Sequence, residues 1–136
     1  MNNIADMKKI TDAIQKVKNV WPFNTRIDFV DFLDRASINK SATGIYIITE
    51  GQDVLYVGKG HIAARHERHL QKIQGLSKVE PRGWVWLRTV RQSRPENWKM
   101  IMVFVESRSV ESLLEGALIH ELQPLVNDEI FGKPVK

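Results

Sequence analysis

Cysteine is absent from this 136-residue chain, which excludes disulfide bonds and thiolate metal sites. No apolar run approaches the roughly 20 residues that cross a bilayer, and the first residues lack the apolar block of a signal peptide. The remaining composition, with 43% hydrophobic and 26% charged residues, is typical of a globular protein with one core. We expect a cytoplasmic protein without a membrane partner.

Positive charge is concentrated in the middle of the chain. The net charge of the whole chain is +4, yet residues 56–100 alone contain ten lysines and arginines against three glutamates. Such a segment suits the phosphate backbone of a nucleic acid, but a solvated surface with scattered cations has the same composition. The charge pattern therefore leaves both interpretations open.

Residues 1–40 predict two helices ahead of the core. Apolar residues recur at three- and four-residue steps from Ile4 to Val17, and Thr25 with Asp28 resembles a capping box that opens a second helix. We expect this N-terminal helical extension to pack on the core or on a partner. Its apolar side is the expected interface of a homodimer.

A mixed core is predicted over residues 41–129. Short β-branched and aromatic runs at 45–49 and 54–57 flank a loop that contains glycine, which predicts a hairpin, and residues 99–106 predict a buried strand. The expected fold class is α/β of the α+β type, with a small three-stranded, mostly antiparallel sheet flanked by helices. A short tail follows at 130–136.

The helices of the core have unequal signals. Residues 61–75 predict a helix, whereas residues 81–94 favour a helix but also have good strand propensity. Ser109 is predicted to cap a last helix that ends before Pro124.

Tyr46 and Tyr56 stand on the two strands of the predicted hairpin. Opposed residues of an antiparallel pair share a face, so Tyr46 can oppose Tyr56 only if the loop has three residues, 50–52. A two-residue loop puts the phenols on opposite faces unless a bulge intervenes. For these two residues alone, packing at separate sheet positions is the commoner outcome.

A stripe of polar residues is predicted on the helix after the hairpin. His61, Arg65, His69 and Lys72 follow one another at steps of four, four and three, opposite the apolar side. A guanidinium beside an imidazole can bind a phosphate and exchange a proton near neutral pH, although a solvated helix face has the same spacing. His66 adds a third histidine nearby, but no spacing typical of zinc sites is matched.

Glu115 interrupts an apolar surface of the last helix, where it shares a face with Ile119 and Leu122. A carboxylate on such a surface is costly unless it is paired or binds a cation. An ion pair with Arg65 or Lys59 is one explanation. The other is Mg²⁺, held against a phosphate by one carboxylate and water.

The motifs taken together resemble the GIY-YIG nuclease family. The two motifs of the family name correspond to Gly-Ile-Tyr at 44–46 and to Tyr-Val-Gly at 56–58, the second in a conservative variant. The family pattern continues with an arginine on the next helix, a glutamate after Leu-Leu, and an asparagine after a proline. In this chain those positions are Arg65, Glu115 and Asn127.

The resemblance implies a DNA endonuclease that depends on Mg²⁺ or Mn²⁺, with Glu115 as the metal ligand. The metal would polarise the scissile phosphate and ease departure of the 3′ oxygen. Arg65 would neutralise the charge that builds on the phosphoryl oxygens. Tyr56 would orient water or phosphate, and Asn127 would hold the site together.

The resemblance also implies a general base. Tyr46 is the first candidate, and His69 is the rival. A free phenol has a pKa of about 10, so Tyr46 would need Lys59 or the metal to lower that value.

DNA is the expected partner, and basic residues of the middle segment are expected to bind it. These are Lys59, His61, Arg68, Lys72, Arg82, Arg88 and Arg91. The alternatives are a nucleic-acid-binding module without catalysis, which the basic segment alone would satisfy, and an adaptor subunit that binds a partner protein.

Overall fold

The computed structural model describes residues 7–73 and 91–126. Seven helices and strands follow one another there: α1 (Met7–Val20), β1 (Thr25–Asp31), β2 (Thr43–Glu50), β3 (Asp53–His61), α2 (Ile62–Ile73), β4 (Trp98–Val105) and α3 (Arg108–Leu122). Short 3₁₀ turns precede β2 and β4. Most of the ambiguous segment 81–94 and the whole tail lie outside the described residues. None of the helices described is long and apolar enough to cross a membrane.

The strands form one antiparallel sheet in the order β1-β4-β2-β3. The predicted hairpin is β2 with β3, and the predicted buried strand is β4, so the α+β class is confirmed. The sheet has four strands, however, and not the three that were predicted. Within the described residues β3 is an edge strand, which matters for access to the site.

β1 replaces the second helix that was predicted from Thr25 and Asp28. All seven residues of β1 pair with β4. Ile27, Phe29 and Val30 are β-branched or aromatic, and such side chains fit a pleated surface once a partner strand is beside them. The N-terminal segment therefore adds a strand to the sheet, and only α1 of the predicted helical extension is present.

Helices cover both faces of the sheet. We call the two sides the α1/α3 face and the α2 face. On the α1/α3 face, Ile45 and Ile47 of β2 lie in one buried cluster with residues of α1 and α3. On the α2 face, Tyr46 and Ile48 of β2 lie in a second cluster with Ile62 and other residues of α2. The alternation of β2 between the two clusters follows from the two-residue period of a strand.

The apolar stripe of α1 belongs to the core of the chain itself. Ile10, Ile14 and Val17, which the periodicity predicted to share a side, are buried against the sheet and α3. Because this side is already covered within the chain, the structure gives no support to a homodimer through it.

α3 begins two residues earlier than predicted. Its N-cap is Ser107, and the Ser107 hydroxyl accepts hydrogen bonds from the backbone N–H groups of Ser109 and Val110. Ser109 lies inside the first turn, so the prediction that it caps the helix was wrong. The helix ends at Leu122, before Pro124, as predicted.

The packing of α3 can be tested with two adjacent leucines. Leu114 is 0% exposed and packs on the α1/α3 face, whereas Leu113 is 44% exposed. We expect Leu114→Ala to lower the free energy of unfolding by about 2–5 kcal/mol, because it leaves a cavity in the core. Leu113→Ala should change it by less than about 0.5 kcal/mol. Urea unfolding of both variants measures the difference, and equal losses would contradict the described orientation of α3.

Candidate active site

A β-bulge brings Tyr46 and Tyr56 to the same face. The hairpin loop has two residues, with Glu50 opposite Asp53, which excludes the three-residue loop and leaves the alternative with a bulge. The register shifts after Ile48, which opposes Tyr56, and Tyr46 therefore opposes Gly58 rather than Tyr56. Leu55 is the extra residue of the bulge, and it returns Tyr56 to the face of Tyr46, which a two-residue loop without a bulge would not do. The shared face of the phenols is confirmed, through the bulge that the parity argument allowed.

His69 completes a cluster of three rings on the α2 face. The ring centroids of Tyr46 and Tyr56 are 5.8 Å apart, and the His69 ring lies 4.6 Å from that of Tyr56. A hydrogen bond of 2.9 Å joins the Tyr46 hydroxyl to Nε2 of His69. The two candidates for the general base are therefore one hydrogen-bonded pair.

The predicted stripe of α2 is divided between two environments. His69 is buried with Leu70 on the side of α2 that faces the sheet, so its placement opposite the apolar side was wrong. His61 is the last residue of β3 and not part of the helix. His66 is also buried, and its Nε2 donates a hydrogen bond of 2.5 Å to the carbonyl oxygen of Phe32. That bond gives His66 a structural role.

Gly58 makes room for the phenols. A Cβ at this position would lie 2.6 Å from the Tyr46 hydroxyl oxygen and 2.7 Å from a ring carbon of Tyr56. Side chains do not approach that closely, so any residue larger than glycine must displace one or both rings. The glycine of the second motif is therefore a steric requirement of the tyrosine cluster.

Burial raises the pKa of both phenols. For Tyr46, burial is the largest cause, followed by the charge of Tyr56 and the hydrogen bond with it; Arg65 lowers the value and Glu115 raises it. For Tyr56, burial raises the pKa most, and the hydrogen bond with Tyr46 lowers it. The cation that favours a phenolate is thus Arg65, and not Lys59 as expected.

Lys59 lies on the other face of the edge strand. It opposes Ile45, which is buried on the α1/α3 face, and directly opposed residues share a face. Lys59 is accordingly the cation that most lowers the pKa of Glu115 on α3. Burial and the charge of Glu111 act in the opposite direction, and the net result is a raised pKa for Glu115.

Glu111 is a site residue that the sequence reasoning missed. It precedes Glu115 by four residues, so both carboxylates project from one side of α3. Burial raises the pKa of Glu111, and the charges of Lys59 and Arg108 oppose that shift. The spacing of the two glutamates was visible in the sequence and could have drawn attention to it.

Arg65 links the two faces around the edge strand. Its guanidinium lies beside Gly60, where a Cβ would be 3.3 Å from Nε. Gly60 has a φ of +126°, a conformation that glycine adopts without strain. The charge of Arg65 acts on both phenols and on Glu115. Gly58 and Gly60 therefore leave β3 without side chains beside the phenols and beside Arg65.

An open cleft of about 500 Å³ adjoins this region. It is lined by the end of β3, residues 59–61, together with Thr43 and the first turns of α3, where Arg108, Glu111 and Ser112 contribute. The lining contains three basic residue types, Lys59, His61 and Arg108, and one acidic residue, Glu111. The cleft can therefore receive an anion near Arg65.

The residues predicted to bind DNA are distributed unevenly. Lys59 and His61 line the cleft, and Arg68 is exposed on α2. Arg91 is half-buried and pairs with Asp53 and Glu50 at the hairpin loop. The other predicted DNA-binding groups, which are the side chain of Lys72, Arg82 and Arg88, lie outside what the structure describes, and so does Asn127, which was expected to hold the site together.

The described residues fit a metal ion only in a limited way. Within 7–73 and 91–126, no group of three or more histidines, aspartates or glutamates could hold a metal. Neither Lys59 nor Arg65 forms an ion pair with Glu115 within 4.0 Å, which removes one of the two explanations for that carboxylate. One or two carboxylates still suffice for Mg²⁺ when water and a substrate phosphate supply the other ligands.

Comparison with family models, with curated proteins and with solved structures found no match to this chain.

The steric role of Gly58 predicts a specific loss. We expect Gly58→Ala to lower the free energy of unfolding by about 1–3 kcal/mol, because the added methyl overlaps the phenols. Gly116→Ala is the control, because a Cβ at that helical position meets nothing within 4 Å, and it should be neutral or stabilising by up to about 1 kcal/mol. Urea unfolding compares the two variants. If Gly58→Ala is as stable as the wild type, the described packing is wrong.

The phenols also predict a pH dependence. The chain has two tyrosines, so phenolate absorbance reports this pair alone. We expect both to ionise above the ordinary pKa of about 10 in the folded protein and near it in denaturant. Because folding favours the neutral phenols, their stabilising contribution is complete below that pH and is lost as the pH rises further. Titration of the wild type beside Tyr56→Phe measures each group, and ordinary values in the folded state would contradict the burial.

Proposed function

We propose that this protein is a divalent-metal-dependent endonuclease that hydrolyses phosphodiester bonds of DNA. One observation carries the proposal: two buried phenols and an imidazole are in contact on one face of the edge strand β3, and the charge of Arg65 acts both on these phenols and on the Glu115 carboxylate. Each of these groups has a use in phosphodiester hydrolysis, and together they provide a proton acceptor, a cation for the phosphate and a ligand for a metal. The resemblance of the motifs to the GIY-YIG nucleases agrees with this assignment.

Tyr46 and His69 supply the proton transfer. A proton that arrives on the Tyr46 oxygen can be passed to Nε2 of His69 along the hydrogen bond of 2.9 Å. Transfer through the pair avoids a standing phenolate, which burial disfavours. Tyr56, beside both rings, orients the water or the phosphate through its hydroxyl.

Arg65 supplies positive charge for the phosphate. Its side chain is exposed, its guanidinium lies over Gly60, and its charge acts on both phenols. A planar guanidinium can donate two parallel hydrogen bonds to phosphoryl oxygens. Arg65 therefore positions the phosphate at the edge of β3 and stabilises the charge that develops there.

Glu115 is the residue that would hold Mg²⁺ or Mn²⁺. When bound, such an ion polarises the phosphate and stabilises the leaving oxygen. Glu115 is half-buried, and its carboxylate has no ion pair among the described residues, so it offers oxygen ligands that no protein cation occupies. Lys59 adds positive charge to the same edge and assists in binding the DNA backbone.

Cleavage of plasmid DNA tests the proposal. We expect the purified protein to nick supercoiled plasmid in Mg²⁺ or Mn²⁺ and to leave it intact in EDTA. Glu115→Gln should reduce the nicking rate by about 100-fold or more, because it removes the charge that holds the metal at the phosphate. Glu121→Gln is the matched control on the same helix, since Glu121 is paired with Lys16 at 2.8 Å, away from the site.

The possible results separate the candidate functions. Equal activity of Glu115→Gln and the wild type would refute the catalytic role of that residue. Binding of DNA with no cleavage of plasmid or branched substrates in either metal would favour the nucleic-acid-binding module. Neither binding nor cleavage would favour an adaptor subunit.

A further inference from the structure

Glu111 is a buried carboxylate without a partner in the described part of the chain. It is 9% exposed, and no hydrogen bond or ion pair within 4.0 Å joins its side chain to another described residue. Three N–H groups at the nearby N-terminus of α3 bond to other acceptors. Those of Ser109 and Val110 donate to the Ser107 hydroxyl, and the N–H of Glu111 itself donates to the Ser107 carbonyl oxygen. Glu111 lines the open cleft at the end of β3, so its carboxylate is available to a ligand that enters from that cleft.

Glu111 and Glu115 face the same region. Residues four apart on a helix have Cβ atoms about 5–6 Å apart, and like charges at that spacing repel each other. Lys59 is the cation with the largest effect on both carboxylates, yet its ammonium lies within 4.0 Å of neither. Lys59 and Glu111 both line the cleft at the end of β3.

We propose that Glu111 is a second carboxylate ligand of the divalent cation, which binds between Glu111 and Glu115 at the mouth of the cleft. The inference rests on the proposed function, since it adds a ligand to the cation site of that function. Two carboxylates from one helix, with the remaining positions filled by water and phosphate, match the coordination that Mg²⁺ adopts in proteins. The charge of the ion removes the repulsion within the pair and compensates the burial of Glu111.

Binding of Mn²⁺ without DNA tests this assignment. Electron paramagnetic resonance of free Mn²⁺ gives the dissociation constant, independently of any cleavage. We expect Glu111→Gln to weaken binding by about tenfold or more, as Glu115→Gln does, because each removes one ligand and one charge. Glu121→Gln should bind Mn²⁺ like the wild type, and thermal unfolding confirms that each variant is folded.

Lys59→Met provides a second test, in which Mn²⁺ affinity should change in the opposite direction. The Lys59 ammonium opposes a cation at this place, so its removal should strengthen Mn²⁺ binding in the wild type. In the Glu111→Gln background the gain should be smaller, because part of the charge that attracts the ion is gone.

Three results would overturn the inference. They are unchanged Mn²⁺ affinity in Glu111→Gln, weaker affinity in Lys59→Met, and no binding by the wild type at millimolar Mn²⁺. Its failure is distinguishable from failure of the proposed function. A protein that binds Mn²⁺ through both glutamates but cuts no DNA refutes the nuclease alone, whereas one that cuts DNA with unchanged affinity in Glu111→Gln refutes only the second ligand.

Discussion

The close approach of Tyr46 and Tyr56 over Gly58 is the constraint on which the candidate site depends. Two large rings on neighbouring strands can converge with His69 only where the strand beneath them carries no Cβ. The bulge at Leu55 is equally necessary, because it sets the parity that turns Tyr56 toward Tyr46. Sterics and register thus fix the phenols before any electrostatic effect acts on them.

The position of β3 at the edge of the sheet gives this constraint its chemical value. In a central strand, a tyrosine on one face and a carboxylate on the other are separated by the sheet, and neighbouring strands block the way around it. At an edge strand with glycines at 58 and 60, Arg65 can act on both sides. Unpaired edges usually have to be protected from other strands. Here the edge carries the residues for which we propose a function.

Local patterns explain which parts of the structure could be predicted. The hairpin, β4 and α3 carry strong periodicity and turn residues, and all three were predicted, although β3 continues four residues beyond its predicted end. The prediction of a helix over residues 25–31 was wrong because the spacing of Thr25 and Asp28 suits a helix cap. The strand that forms instead depends on pairing with β4, about 70 residues away. Sequence alone does not contain that tertiary pairing.

The site divides in the same way. The phenols, Arg65 and Glu115 came from motifs and spacing, whereas the burial of His69 depends on how α2 rotates against the sheet. A helical wheel of α2 gives the angles between its side chains but not which side of the helix packs on the core. His69, next to Leu70, could therefore lie on the buried side or on the exposed side. The four-residue spacing of Glu111 and Glu115 is visible in the sequence, but the burial that separates Glu111 from an ordinary first-turn glutamate is not.

Burial finally decides how the tyrosines can act. The same packing that aligns Tyr46 and Tyr56 raises the pKa of both, so a phenolate is less accessible here than in water. Arg65 offsets that effect only in part. His69, at 2.9 Å from the Tyr46 oxygen, removes the difficulty because it can accept the proton that Tyr46 releases as another arrives. A neutral phenol that relays a proton is therefore compatible with a buried site, and a phenol that must ionise in advance is not.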